Sequence, residues 1–187
     1  MESNYYIHPS AIVESEFIGE HTRIWAFVHI LKDVEIGKNV NICDHCFIEN
    51  GVAIGDNVTI KCGVYLWSGI SIEDNVFIGP NVVFTNDLRP RSKQEFNQAE
   101  TVIEEGASLG ANSTVLAGVR IGAYAFSGIG SVITRDVPNH ALVYGNPAKI
   151  KGWVDEMGRK LAPISDVDWV SEEGVVYTKS SKGLVKK

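Results

Sequence analysis

Apolar residues recur along this chain at every sixth position. From Ile12 to Phe84 the series is unbroken for thirteen residues, eleven of them isoleucine. Four places after each member from Ile18 onward runs a second column: Thr22, Val28, Val34, Val40, Cys46, Val52, Val58, Val64, Ile70, Val76 and Val82. After Phe84 the phase slips by one, and the series resumes at Ile103, Leu109, Val115, Ile121, Ser127 and Ile133. A helix repeats about every 3.6 residues and an alternating strand every two, so a period of six fits neither. It fits a short strand and a turn, one flat side of a β-solenoid per hexad, with β-branched columns stacked on themselves inside. Three hexads close a triangular coil, so the nineteen hexads predict an all-β solenoid of about six coils.

The slip locates an insertion. Between Phe84 and Ile103 the polar stretch Asn86–Glu100 (NDLRPRSKQEFNQAE) is expected to loop out. Residues 18 apart should stack, which gives an outward column of His29, Phe47, Tyr65 and Val83 and, beside it, Leu31, Glu49, Trp67 and Thr85. Tyr65 and Trp67 then lie one coil below the root of the loop. Outward aromatics need a covering surface, which is either a neighbouring subunit or a docked sugar or base. Another side stacks Trp25, Cys43, Lys61 and Gly79, with a corner of Phe27, His45, Gly63 and Asn81. Cys43 and Cys46 spell C-x-x-C but fall on outward and inward columns and so point apart. The repeat defines a domain over residues 1–152. A tail over 153–187 is expected to hold a small hairpin from Trp169 to Tyr177 and to fray over KSSKGLVKK.

Composition narrows the class. The net charge of −6 and a pI near 5.4 argue against nucleic acid as the main partner. No apolar run approaches a membrane span, and MESNYYIHPS carries no secretory pattern, so a cytoplasmic location is expected. Three cysteines (Cys43, Cys46, Cys62) in such a chain read as reduced thiols.

Over residues 7–152 the chain resembles the left-handed β-helix, hexapeptide-repeat acyltransferases. That resemblance implies the left hand of the coil, a homotrimer, and active sites in clefts between subunits. The segment VYLWSGISIEDNVFIGPNVV followed by FTNDLRPRS resembles a narrower group, the N-acetyltransferases of nucleotide-linked 3-amino sugars. The resemblance places Asn86 and Asp87 at the amino group of the sugar. Arg89 and Arg91 are spaced to grip phosphate or carboxylate, and Tyr65, Trp67 and His29 are the further substrate-binding candidates. SGIGSVITRDVP followed by GNPAKI resembles the coenzyme A end of these enzymes. There Gly110, Ala111, Gly128 and Thr134 would let pantetheine lie on the backbone, Pro147 marks the adenine segment, and Arg135, Lys149 and Lys151 would meet phosphates. For Gly128 and Gly130 a turn needing positive φ is the plainer reading. Many relatives carry a tail with paired cysteines; this tail has none, so no metal is expected.

The implied reaction is acetyl transfer from acetyl-CoA to the 3-amino group of a nucleotide-diphosphate amino sugar in surface polysaccharide (O-antigen, lipopolysaccharide) biosynthesis. A dTDP-3-amino-3,6-dideoxyhexose is favoured as acceptor, with a UDP-2-acetamido-3-amino-2,3-dideoxyglucuronate or a sugar hydroxyl as alternatives. None of the five histidines falls in the loop's own coil. An amino sugar is less basic than an alkylamine, so the amine can enter neutral without a protein base. His45, reached from a neighbouring subunit, is the runner-up base.

Overall fold

Each hexad forms a strand of two or three residues, and the strands stack into three parallel sheets, one for each side of a triangle. The computed structural model describes residues 4–95 and 97–187. Residues 1–3, the start of the N-terminal stretch considered above, and Phe96 of the loop lie outside the described residues. The first face runs from Tyr6–Ile7 up to Ala141–Gly145, the second from Ile12–Val13 to Val132–Ile133, and the third from Phe17–Ile18 to Arg120–Ile121. The register is one residue over its equivalent in the next coil: Asn41, Thr59 and Phe77 on the first face, His29, Phe47 and Tyr65 on the second, Glu35, Ala53 and Ser71 on the third. No helix occurs among the described residues, and none is long and apolar enough to cross a membrane.

The isoleucine and valine columns form the core, and Ile24, Ile30, Ile42, Ile48, Ile60 and Ile78 are fully buried. Each such side chain contributes about 1.5–3 kcal/mol by leaving water. Every coil must bend at its corners, and the bend places one residue per hexad at positive φ: Asn39, His45, Asn57, Asn75, Asn81 and Asn112 among them, with glycine at Gly51, Gly63, Gly106, Gly118 and Gly130. Asparagine and glycine adopt that left-handed geometry at least cost.

Two expectations about the repeat change. There are seven coils and the opening side of an eighth, because Tyr6–Ile7 at the start and Val137 and Ala141–Gly145 at the end complete coils without clean hexads. Ile12 is also not an inward residue. It pairs with the outward His29 and is exposed, while Val13 pairs with Ile30 and faces the core. The first coil is one residue short.

The tail does not fray. Ala162–Pro163, Asp168–Val170, Val176–Ser180 and Gly183–Lys186 form a four-stranded antiparallel sheet, of which the expected hairpin is the middle. Leu161, Tyr177 and Leu184 make its small core, with Trp153 and Trp169 against it. The Asn139 N–H donates to the Lys182 carbonyl at 2.8 Å and the Leu184 N–H to the Asn139 carbonyl at 3.1 Å. The sheet thereby caps the last coil, where a solenoid would otherwise expose its core.

Candidate functional site at two corners of the solenoid

The second face is apolar and outward. Phe27 (59% exposed), Tyr65 and Val83 (each 50%) stand along it or at its edge. Phe47 packs edge-on against both His29 and Tyr65, with ring centroids 5.6 and 6.2 Å apart. Candidate residues from the sequence gather at the two corners flanking this face.

The corner between the second and third faces carries the loop. Its root follows the strand Val83–Phe84, and the chain returns in the strand Thr101–Ile103, as the phase slip indicates. The Ala99 N–H donates to the Asn86 carbonyl at 3.3 Å, so the two arms are joined at a neck. Asn86 and Asp87 are half-buried in that neck, while Leu88–Glu95 are exposed. Asp87 Oδ1 accepts the Arg89 N–H at 2.7 Å, which leaves one carboxylate oxygen for other partners. Arg89 and Arg91 stand on the exposed arm, and Arg91 Nη1 donates to the Pro90 carbonyl at 2.9 Å. Tyr65 and Trp67 lie one coil below, at a ring separation of 6.1 Å. The Trp67 indole N–H donates to the Phe84 carbonyl at 2.9 Å, so its polar edge serves the loop root and only its ring remains for a ligand. A cavity of about 720 Å³ opens beneath the return arm, lined by Asn50, Ser68, Gly69, Gln98 and Glu100. Ser68 and Asn50 lie 18 and 36 residues before Asn86, one and two stacking intervals of the repeat. Thr134 and Arg135, both exposed, occupy this same corner higher up, because Thr85 pairs through Val115 and Leu116 through Ile133.

The corner between the first and second faces carries stacked glycines. Gly79, Gly110 and Gly128 occupy one column, with Lys61 below and Tyr144 above. A Cβ on Gly79 would sit 2.7 Å from the Ala111 nitrogen and one on Gly110 2.6 Å from the Ser127 carbonyl oxygen. Real Cβ atoms do not approach backbone so closely, so these glycines exist for packing between coils, and they leave a groove floored by bare backbone. Gly128 has no positive φ, unlike Gly130, so its turn reading is corrected. A Cβ there would lie 2.9 Å from Cβ of Tyr144. Ala111 accepts the Gly130 N–H at 2.8 Å on the same corner. At the top, Gly145–Ala148 forms a hairpin tip that exposes Pro147, and Lys149 pairs with Tyr144 across it. Lys151 Nζ stands 5.6 Å over the Tyr144 ring. Tyr144 escapes periodicity because it lies beyond the last clean hexad.

The histidines divide as the columns imply. His45 is exposed and stacked on Phe27 at 4.9 Å, at the foot of the glycine corner. His29 lies 3.4 Å from Glu14. His140 is buried between Tyr124 and Tyr177, each 5.2 Å away, and burial holds its pKa below the ordinary range, despite partial compensation from the Val154 carbonyl. Cys46 is inward, its thiol pushed up to about 12 by burial, and Cys43 is half-buried on the outer side, so the C-x-x-C pair does point apart.

Comparison with known proteins identifies the family. The family pattern described as bacterial transferase hexapeptide (six repeats) matches residues 17–50 and 51–86, and that of the hexapeptide repeat of succinyl-transferase matches residues 100–135. A dTDP-3-amino-3,6-dideoxy-alpha-D-galactopyranose 3-N-acetyltransferase of Aneurinibacillus thermoaerophilus is 61% identical over 159 residues, covering 83% of this chain and 82% of the relative. A galactoside O-acetyltransferase of Lactococcus lactis is 38% identical over 85 residues, 42% of this chain and 40% of the relative. Among solved structures, WeeI from Acinetobacter baumannii AYE superimposes with a TM-score of 0.51 at 25% identity, over 76% of this chain and 55% of that one.

Proposed function

This chain belongs to the hexapeptide-repeat bacterial transferases, and we propose that it transfers an acetyl group from acetyl-CoA to the 3-amino group of a nucleotide-linked amino sugar, a dTDP-3-amino-3,6-dideoxyhexose. The observation that carries this reading is the 61% identity to the Aneurinibacillus enzyme. A match over 83% of the chain cannot omit the loop or the Gly145–Ile150 hairpin. The galactoside O-acetyltransferase likeness covers less than half of either chain and carries less weight.

Acetyl-CoA lies along the glycine corner, its pantetheine on the backbone of Gly79, Gly110 and Gly128 and its phosphates toward Lys149 and Lys151. The sugar amine lies at the loop neck. Asn86 accepts a hydrogen bond from the amine and cannot remove a proton. The amine lone pair attacks the thioester carbon, a backbone N–H near Gly110 or Gly128 stabilises the oxyanion, and collapse expels the CoA thiolate. That thiolate takes up the proton released by the ammonium adduct. No protein base is needed if the amine enters neutral. The two corners are separated by the second face, so a single chain does not close the site. A trimer packed on that apolar face sets the glycine corner of one subunit beside the loop corner of the next. Thr134 and Arg135 then face the coenzyme from the neighbour's side. A nucleotide sugar and acetyl-CoA as the two substrates imply a cytoplasmic location under this reading.

The test is a thiol-release assay with acetyl-CoA against a panel of dTDP- and UDP-linked amino sugars. Turnover with dTDP-3-amino-3,6-dideoxyhexoses supports the reading. Preference for the UDP-linked uronate or for a sugar hydroxyl replaces it.

A further inference from the structure

We infer that Trp67 and Thr85 are positioning residues that clamp the neck of the loop from the coils below and above it, presetting Asn86 before any ligand arrives. The inference deepens the acceptor reading above and rests on it.

The neck has a problem that a solenoid does not ordinarily meet. At every other corner the chain passes into the next strand, and the ladder hydrogen bonds hold it on both sides. After Phe84 the chain leaves the coil for sixteen residues, so the peptide units at the root lose that restraint on one side. A loop of that length anchored only by its ends samples many conformations, and an orienting amide on it would be poorly placed.

The Thr85 N–H keeps its ladder bond to the Val115 carbonyl at 3.2 Å, and four further contacts hold the rest of the neck. From below, the Trp67 indole N–H donates to the Phe84 carbonyl at 2.9 Å. Trp67 is itself held, since its ring packs on Phe47 and Tyr65 and the next N–H, of Ser68, donates to Glu49 Oε2 at 2.8 Å. From above, the Thr85 hydroxyl accepts the Ala117 N–H at 2.9 Å and donates to the Val115 carbonyl at 3.4 Å. Across the neck, Ala99 joins Asn86. Underneath the return arm lies Gly69, where a Cβ would meet Gln98 Nε2 at 2.7 Å and the Ala99 carbonyl at 2.8 Å, so the arm can settle onto bare backbone. Asn86 is the residue immediately beyond both clamps. Its backbone is therefore fixed by side chains that touch neither the acceptor amine nor the thioester.

The distinction matters for Trp67, whose half-buried ring beside Tyr65 invites a purely ligand-stacking role. Trp67→Phe keeps an aromatic ring, smaller than the indole, and removes the N–H. Thr85→Val keeps the shape and removes the hydroxyl, and Thr85→Ser restores it. In the whole enzyme, Trp67→Phe and Thr85→Val should each lower kcat for the amino sugar on the order of 10- to 100-fold, the scale of a misplaced reacting group. The KM for acetyl-CoA should stay within about twofold, because the glycine corner is untouched. Thr85→Ser should recover most of the loss. Hydrogen exchange should rise in peptides spanning residues 85–100 and stay unchanged in the coils over 24–60. The inference is overturned if kcat survives both substitutions, if Thr85→Ser is as damaging as Thr85→Val, or if exchange rises throughout the solenoid. A wild-type protein inactive on every amino sugar would instead remove the acceptor reading, and the exchange measurement alone would then decide whether the clamp exists.

Discussion

The two corners beside the second face use opposite means to make room for chemistry on the same repeat. At the corner between the first and second faces, side chains are removed. Trp25, Cys43 and Lys61 fill the lower coils, then Gly79, Gly110 and Gly128 strip the column to backbone until Tyr144 closes it. At the corner between the second and third faces, residues are added, and a sixteen-residue excursion leaves the coil at Phe84 and returns at Thr101. Removal yields a rigid groove suited to a long flexible cofactor chain, since the N–H groups of Gly79, Gly110 and Gly128 each donate to a carbonyl of the next coil. Insertion yields a reach that the ladder cannot hold, so the neck needs dedicated anchors. Rigidity comes free at one corner and has to be rebuilt at the other.

The sharpest way to break this contrast is at the neck. Asn86→Ala should lower kcat/KM for the amino sugar by about 1–3 kcal/mol in transition-state terms, the range for a lost orienting bond, with the KM for acetyl-CoA unchanged. His45→Ala should cost much less. If His45→Ala abolishes turnover and Asn86→Ala is mild, a protein base carries the chemistry. At the other corner the first casualty should be stability. Gly110→Ala drives a Cβ to 2.6 Å from the Ser127 carbonyl oxygen, and overpacking of that kind costs about 1–3 kcal/mol in chemical denaturation. Gly128→Ala meets only the Tyr144 side chain and should be milder in denaturation while still raising the KM for acetyl-CoA. A Gly110→Ala protein as stable as wild type would show that the groove is loose.

How much of this was visible in the sequence differs between the corners for a physical reason. Inward columns are β-branched because they stack on themselves, so Ile18 through Phe84 mark their own positions, and the one-residue slip marks the loop. Where two adjacent residues are both apolar, as at Ile12–Val13, periodicity cannot choose between them, and the pairing with His29 and Ile30 decides. The glycines of the groove were visible as letters, but their reason, a close approach between coils, required the stacking. The C-terminal sheet has no hexads. Tyr177 and Leu184 become core only because Trp153 and Trp169 are folded over them, and so KSSKGLVKK has the composition of a loose end while its Gly183–Lys186 portion forms a strand.

Smaller effects sharpen the upper end of the groove. Arg135→Ala and Lys149→Ala should each raise the KM for acetyl-CoA by about 1–2 kcal/mol equivalent, as lost phosphate contacts, and leave the sugar KM alone. Equal damage to both would mean that the two corners are wrongly assigned. The cap should respond to pH. His140 is buried with its pKa held low, so the unfolded chain binds a proton more readily than the folded one. The stability it supports is present above the ordinary histidine range near 6.5 and declines as pH falls through and below it. Thermal melting between pH 7.5 and 5 should show that decline, and His140→Gln should flatten it. A wild-type melting temperature independent of pH would argue that other groups compensate.

The central claim is that each site is built from the glycine corner of one subunit and the loop corner of its neighbour, and mixed trimers test it directly. Gly128→Trp blocks the groove, Asn86→Ala weakens the neck, and each protein alone should fall well below wild-type activity, Gly128→Trp the further. Co-expressed, they form trimers in which some clefts pair an intact groove with an intact neck from the other chain. Acetyl transfer well above the sum of the two parents is the predicted result. Activity no greater than that sum, in trimers shown to contain both chains, would place the whole site on one chain and contradict the account.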